Sequence, residues 1–141
     1  MLVTGAVIVA ALSFSLPKAA SASTTIPASA ATCNPDPFPD VHECTSVVGS
    51  GLKIKTVTGW VRLDVTDPGI ANVHIEIYGP RGHIANCRSF FLTRGTSSPK
   101  CTWKNPHPGA NMPAGDYCSR SWQKDGSAYY ILSVECIGVH R

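Results

Sequence analysis

The chain has 141 residues, of which 43% are hydrophobic and 15% are charged. Disorder throughout requires few apolar residues and a high net charge, so this composition excludes a wholly disordered chain. The length excludes two full-sized domains. The 12 Gly, 11 Pro and 6 Cys indicate many turns and cross-links and few long helices.

The N-terminal segment predicts an export signal. Residues 2–16 are almost wholly apolar or small, Pro17 and Lys18 end this run, and the Ala-Ser-Ala sequence at 20–22 fits a signal-peptidase site. An apolar run of about 15 residues is short for a transmembrane helix, which needs about 20; an uncleaved anchor is the alternative. We therefore expect residues 1–22 to be a signal peptide, and the mature chain to be secreted, extracellular and without a membrane segment.

Composition divides the remaining chain into two parts. Residues 23–32 are rich in Ser, Thr and Ala, which is typical of a flexible linker. Three prolines stand between Cys33 and Cys44, and because proline fixes φ and removes an N–H donor, this segment is not a helix. We expect residues 23–45 to be a flexible leader with a Pro-rich disulfide loop, and residues 46–141 to be the folded domain.

All six cysteines follow the predicted cleavage site, and an exported chain meets an oxidising compartment in which thiols pair. Fifteen pairings are possible. We favour sequential pairing, which closes loops of about 12 to 19 residues, each worth about 3 kcal/mol in the chain-entropy model. A zinc site is the weaker alternative, because the chain has no C-x-x-C pair. The predicted disulfides are Cys33–Cys44, Cys87–Cys101 and Cys118–Cys136.

Alternation of apolar and polar residues predicts strands throughout the domain, and no helical period interrupts it. A turn centred near Arg94 would place Cys87 opposite Cys101 in a hairpin, and a bulge is expected at Gly59. The predicted fold is an all-β, antiparallel β-sandwich, immunoglobulin-like in architecture, with about six to seven strands and three disulfides. In chain order the predicted strands are 52–57, 60–65, 73–78, 83–92, 101–103, 116–123 and 129–139.

Two local patterns near the C-terminus refine this fold. The Asp125-Gly126 pair predicts a hairpin turn before the last strand. Tyr117 stands one residue before Cys118, whereas the tyrosine corner of an immunoglobulin domain stands two residues before its cysteine. A true immunoglobulin domain is therefore less expected than a sandwich of similar architecture.

The familiar catalytic motifs are missing from the sequence. The chain contains no G-x-S-x-G, no H-E-x-x-H, no phosphate-binding loop and no dinucleotide fingerprint. His74 and Glu76 match part of the zinc deaminase signature, but its P-C-x-x-C half is lacking. His74, Glu76 and Tyr78 share one face of a predicted strand, for which a solvated face is the favoured interpretation, ahead of a binding or catalytic site. We expect no enzyme activity, no metal and no other cofactor.

Charge is distributed unevenly along the mature chain. Before Gly51 it has the acidic residues Asp36, Asp40 and Glu43 and no basic one, whereas after Gly51 it has 11 basic and 6 acidic residues. We take Asp36 and Asp40 as candidate partner-binding residues. The alternatives are a calcium site, a solvated acidic loop, or contact of the leader with the basic body of the same chain.

A region without acidic residues extends from Ile77 to Gly115. It predicts a basic surface on a hairpin and its loops, which would attract a cell-wall polymer, a glycan or an acidic protein partner. Nucleic acid is not an expected partner, because basic and aromatic residues do not form a contiguous stripe. Trp60 is a further candidate, because it is out of phase with the apolar positions of its strand. The candidate residues in the basic region are Arg81, Arg88, Arg94, Lys100, Trp103 and Lys104.

Three short segments resemble small exported proteins of actinomycetes: residues 49–52 (Gly-Ser-Gly-Leu), 74–80 (His-Ile-Glu-Ile-Tyr-Gly-Pro) and 114–118 (Ala-Gly-Asp-Tyr-Cys). In size, in export and in the flexible leader before a β domain, the chain is similar to the adaptor subunits of the umbrella toxin particles of streptomycetes. The resemblance implies a non-catalytic subunit that joins a toxin-bearing protein to a lectin-bearing one. It covers the layout of the chain, so no functional residue is carried over.

These observations predict a secreted, non-catalytic binding module, and first a protein–protein adaptor in an extracellular complex whose partners are other secreted proteins. One alternative is a secreted protease inhibitor that presents the loop 105–115. Another is a cell-wall or glycan-binding protein that uses Trp60, Trp103 and the basic hairpin. A small hydrolase is the least supported alternative, because it needs a nucleophile beside His74 and Glu76.

Overall fold

The structure is a computed structural model that describes residues 29–34, 40–65 and 68–141. The predicted signal peptide, the leader as far as residue 28, and Asp36 lie outside the described residues. The described part holds nine strands and no helix, and so no helix of the length and hydropathy needed to cross a membrane. The strands are β1 (Ser29–Cys33), β2 (Val41–Ser50), β3 (Lys53–Leu63), β4 (Ile70–Gly79), β5 (Gly82–Asn86), β6 (Phe90–Leu92), β7 (Cys101–Lys104), β8 (Gly115–Asp125) and β9 (Ala128–Val139).

The strands form two antiparallel sheets. The four-stranded sheet has the order β1-β2-β3-β7, and the five-stranded sheet has the order β5-β4-β8-β9 with β6 also paired to β4. Because side chains alternate along a strand, every second residue of β3 and β4 points into the space between the sheets. This confirms the predicted antiparallel sandwich. The side chains of β3 and β4 that are fully buried there are Ile54, Val57, Val61, Leu63, Val73, Ile75 and Ile77.

The predicted likeness to an immunoglobulin domain is not confirmed, although the strand order and one tyrosine can be compared with that fold. When β1 is set aside, the orders β2-β3-β7 and β4-β8-β9 correspond to strands A-B-E and C-F-G. Tyr117 is fully buried and its hydroxyl donates to the Pro113 carbonyl at 2.9 Å, as in a tyrosine corner. The buried tryptophan of that fold has no counterpart, because Trp60, Trp103 and Trp122 are all partly exposed.

The number of strands exceeds the six to seven expected, chiefly because part of the predicted leader is folded. Residues 29–33 form β1 and pair with β2, and residues 41–45 begin β2, so the expected boundary at residue 46 lies inside a strand. The prediction of a flexible leader is wrong for these residues. Their small Ser, Thr and Ala side chains suit a largely exposed edge strand, which composition alone does not distinguish from a linker. The predicted strand 83–92 is also divided, into β5 and β6.

All three predicted disulfides are confirmed, but one of them has a different structural role. Cys33–Cys44 and Cys118–Cys136 each join neighbouring strands of one sheet. Cys87 follows β5 in the five-stranded sheet, and Cys101 begins β7 in the four-stranded sheet, with 5.8 Å between their Cα atoms. The predicted hairpin between these two cysteines is therefore wrong, because the chain crosses between sheets after β6. This disulfide ties the two sheets together.

The predicted bulge at Gly59 is also wrong. The register shifts instead where Val48 pairs with Thr56 and Gly49 pairs with Ile54, so no residue of β2 opposes Lys55 and the phase of β3 changes. Gly59 has a different function, because it faces β8 across the interior. A Cβ atom added there would lie 2.4 Å from the Cβ atom of Ser119, so only glycine lets the sheets approach this closely.

One side of the interior is polar, and we call this set of residues the polar seam: Glu43, Thr45, Ser119, Ser121 and Ser133, all buried. The Thr45 hydroxyl donates to the Glu135 carbonyl at 2.7 Å and lies 2.7 Å from the Ser119 hydroxyl, so it links the sheets. Burial raises the pKa of Glu43 to about 7. The Ser119 and Ser121 hydroxyls lower the pKa of Glu43, and the negative charge of Glu135 raises it further. Neither carboxylate oxygen of Glu43 has a partner in hydrogen-bond geometry.

Candidate functional site: an aromatic cleft and an open strand edge

The outward side chains of β4 are more enclosed than a solvated face would be. Ile75 and Ile77 fill the interior, so His74, Glu76 and Tyr78 share the outer face of the five-stranded sheet, as predicted. However, the His74 and Glu76 side chains are only 11% and 16% exposed. The favoured interpretation of a solvated face is therefore wrong, and these residues belong to a structured site.

Glu76 is the central acceptor of this site. The Tyr78 hydroxyl donates to its carboxylate, and His74 Nε2 lies 3.6 Å from Glu76 Oε1. Burial and the neighbouring Glu76 carboxylate raise the pKa of the Tyr78 phenol above its usual value, so the phenol keeps its proton. The carboxylate is thus oriented by two side chains of its own strand.

Strand β8 adds an arginine and a tryptophan to the same face. The register places Arg120 opposite Glu76 and Trp122 opposite His74, and directly opposed residues of antiparallel strands project to the same side. The Arg120 guanidinium lies 4.5 Å from the Tyr78 ring centre and 5.4 Å from the Trp122 ring centre. Both contacts are cation–π interactions, which hold the two rings in fixed positions.

A cleft of about 540 Å³ lies on this face, and we call it the aromatic cleft. Its volume is within the range of about 300 to 1,000 Å³ typical of ligand sites. Lys124 Nζ lies 5.6 Å from the Tyr129 ring centre, and the His74 ring meets Tyr129 edge-on with 6.3 Å between ring centres. The cleft is lined by His74, Glu76, Tyr78, Asn86, Cys87, Ser89, Trp122, Lys124 and Tyr129.

Strand β9 begins beside the cleft after the predicted hairpin turn, which the structure confirms with Gly126 at a φ of +59°. Tyr129, Tyr130 and Ile131 are 57%, 52% and 53% exposed. Gln123 opposes Tyr130 and Trp122 opposes Ile131, so Tyr130 lies on the side of the sheet away from the aromatic cleft and Ile131 lies on the same side as the cleft. We call Tyr130 and Ile131 the edge patch.

The edge patch lies on an open strand edge. β9 is the last strand of its sheet, and no other strand in the described part of the chain pairs with its free edge. Farther along this edge, the Asn34 and Thr45 side chains donate to the carbonyls of Val134 and Glu135. The uncovered stretch is therefore the beginning of β9, where the apolar side chains are most exposed.

The structure divides the predicted partner-binding residues between several places. Trp60 is on the outer face of the four-stranded sheet, with Lys100 Nζ 5.3 Å from its ring centre. Lys104 opposes Thr56 on that same face. Trp103 opposes the buried Val57 and packs against the core, so it does not share a face with Trp60.

The predicted basic residues lie at more than one place, although Arg88 and Lys100 line the same cavity. Arg81 lies at the β4–β5 turn beside the 111–114 loop, and Arg88 lies near the disulfide between the sheets. Arg94 donates to the Val65 carbonyl. Asp40 precedes β2, and its carbonyl accepts a hydrogen bond from the Asp64 N–H. The basic patch was expected on a hairpin that does not form, and none of its residues lines the aromatic cleft.

The loop 105–115 is fixed at both ends. The Asn105 side chain donates to the Ile54 carbonyl at 2.8 Å, and the Met112 N–H donates to the Leu52 carbonyl at 2.8 Å. Residues 106–111 between these anchors are exposed. A loop held in this way could present a rigid surface, but it carries no further feature that identifies a protease, so inhibition stays a prediction.

Sequence reasoning missed Arg120 and Lys124 as site residues. The available signal was the alternation Arg120-x-Trp122-x-Lys124, which places three functional side chains on one face of a strand. Within the described ranges, no group of three or more His, Cys, Asp or Glu residues is arranged to hold a metal ion. No protein-family model, no curated protein and no solved structure matches the chain.

Proposed function

We propose that this chain is a secreted, non-catalytic binding module that holds an extracellular protein partner through the edge patch. The observation that carries the proposal is the pair of large apolar side chains, Tyr130 and Ile131, each more than half exposed on an open strand edge. Native proteins usually blunt such edges with charge or proline. Here neither stands at the patch, which suits a partner that adds an extended segment to the sheet.

The disulfides support both the compartment and the mode of action. Three disulfides in a domain of this size are typical of extracellular proteins. They tie strand to strand in each sheet and one sheet to the other, so the edge of β9 is presented on a rigid scaffold. Rigid surfaces lose less conformational entropy on binding. An adaptor that joins two subunits of an extracellular toxin particle is the specific role that we propose.

A hydrolase has weaker support from the cleft geometry. Catalysis by a serine would require a base within hydrogen-bond reach of the hydroxyl. Ser89 lines the aromatic cleft with His74 and Glu76, but no hydrogen bond joins Ser89 to His74. We therefore do not assign a catalytic role to this group.

The test is capture of a partner from the medium of the producing organism. Removal of residues 23–45 is unsuitable, because it deletes β1 and the first half of β2. Instead, Tyr130→Glu combined with Ile131→Glu should abolish co-purification of a stoichiometric secreted protein. Phe91→Glu is the matched control, since Phe91 is 60% exposed at the opposite edge of the same sheet. Retention of the partner by the double variant, or the lack of any partner with the unaltered chain, would contradict the proposal.

A further inference from the structure

We propose that the aromatic cleft is a second binding site, independent of the edge patch, and that it takes a neutral sugar which stacks on Tyr129. The cleft lies on the outer face of β4, β8 and β9, which Ile131 of the edge patch shares, whereas Tyr130 lies on the other side of the sheet. If both proposals hold, one hairpin presents a glycan contact on its outer face and a protein contact along the free edge of β9.

The side chains that line the cleft match the chemistry of a sugar ring. A sugar ring offers an apolar face of C–H groups and a rim of hydroxyls that both donate and accept hydrogen bonds. The cleft matches this with aromatic rings from three strands, Tyr78, Trp122 and Tyr129, and with polar side chains between them. Glu76 supplies an acceptor, while Asn86 supplies both a donor and an acceptor. Sites of this kind combine aromatic surface with a few oriented polar groups.

The cleft carries little net charge. Lys124 and Glu76 line it with opposite charges, and the Arg120 guanidinium, which contacts the Tyr78 and Trp122 rings, adds one positive charge to the same face. The arginines and lysines of the region without acidic residues lie elsewhere, as shown above. A polyanion would be attracted to concentrated positive charge, and this cleft does not provide it. The balance favours a neutral ligand over an acidic one.

The aromatic rings of the cleft are held in place before any ligand binds. Arg120 lies over Tyr78 and Trp122, the Tyr78 hydroxyl is bonded to Glu76, and Lys124 lies over Tyr129. The Cys118–Cys136 disulfide joins β8 to β9 on the same face, because Cys118 opposes Tyr78. A site assembled before the ligand arrives loses less entropy on binding. These contacts therefore support a binding role for the face.

Tyr129 is the ring best placed for stacking. It is the most exposed of the three rings that line the cleft, and at 57% exposure its removal should not disturb the core. Tyr130 is its natural control, because it is the next residue, is similarly exposed, and lies on the opposite side of the sheet. A sugar in the cleft would distinguish these two tyrosines, whereas a general loss of stability would not.

The experiment is a titration of the isotope-labelled mature protein, followed by NMR chemical shifts. The probes are chitotriose and maltotriose as neutral trisaccharides and trigalacturonate as an acidic one. We expect saturable shifts with at least one neutral probe, centred on the cleft residues. Tyr129→Leu should weaken this binding at least about tenfold, as is typical when a central aromatic contact is removed, whereas Tyr130→Leu should leave it unchanged.

Three results would overturn the proposal: no saturable shift with either neutral probe at millimolar concentration, tighter binding of trigalacturonate, or equal weakening by the two tyrosine variants. Failure of the sugar-binding proposal can be distinguished from failure of the proposed protein contact at the edge patch. Partner capture with the Tyr129→Leu variant measures protein binding at the edge patch when the stacking ring is absent. Sugar titration of the Tyr130→Leu variant measures sugar binding in the cleft when the edge residue is absent.

Discussion

The two sides of the sandwich interior are built from different kinds of side chain. Between β3 and β4 the contacts are apolar, with Val61 and Ile77 among the fully buried residues. Between β2 and strands β8 and β9 lies the polar seam, where Thr45 and Ser119 link the sheets through hydroxyls and Glu43 has no counter-charge. The apolar side therefore stabilises the fold by burial, whereas the polar seam makes the stability of the fold depend on pH.

We expect the largest loss of stability from a substitution on the apolar side of the interior. Ile77→Ala should lower the free energy of unfolding by about 2 to 5 kcal/mol, because it removes buried methylene groups and leaves a cavity. Ile131→Ala should change it by no more than about 0.5 kcal/mol, because Ile131 is exposed. Urea denaturation of both variants measures the contrast. Similar losses would show that Ile77 is not part of the packed interior.

The next effect concerns the buried carboxyl group of the polar seam. Burial raises the pKa of Glu43 from 4.5 to about 7, so between these pH values the folded state keeps a proton that the unfolded state releases. The free energy of unfolding should therefore fall as pH rises through this window, by about 3 kcal/mol in all, and level off above it.

Glu43→Gln should remove most of this pH dependence, because an amide has no proton to lose. Glu135→Gln is the control, since the Glu135 charge adds to the shift but is not its main cause. Urea denaturation at pH values from 4.5 to 8 compares the three proteins. The same slope in the unaltered chain and in Glu43→Gln would contradict the assignment of the titration to Glu43.

The smallest effect tests the hydroxyl link across the polar seam. Thr45→Val keeps the shape of the side chain but leaves the Ser119 hydroxyl and the Glu135 carbonyl without this partner, which should cost about 1 to 3 kcal/mol. Thr58→Val removes a hydrogen bond to Thr102 on the exposed outer face and should cost no more than about 0.5 kcal/mol. Equal effects on thermal unfolding would mean that the polar seam is not a structural link.

The sequence contained enough information for the apolar side but not for the polar seam. Alternation of Val73, Ile75 and Ile77 is a local signal, so the strand and its buried face could be predicted. Glu43 and Thr45 gave the opposite signal, because polar residues are expected outside and because their segment followed a proline-rich loop. Their inward direction follows from the pairing of β2 with β3 across the turn at residues 51 and 52, which places Glu43 opposite Val61 and Thr45 opposite Gly59.

The candidate site was predictable only where its residues follow a local sequence pattern. The shared face of His74, Glu76 and Tyr78 follows from one strand, and the hairpin before β9 follows from Asp125-Gly126. The contribution of Arg120 depends on the register between β4 and β8, which no local pattern specifies. The hairpin that was expected to carry the basic residues does not form, because the chain crosses between sheets after β6.

Site-specific crosslinking tests directly whether the β8–β9 hairpin is the contact surface for a protein partner. A photoreactive phenylalanine analogue is placed at Tyr130 in one secreted protein and at Phe91 in another, and both are irradiated in the medium of the producing organism. We expect a covalent adduct with one secreted protein from position 130 and none from position 91. Adducts of equal yield from both positions, or from position 91 alone, would contradict it.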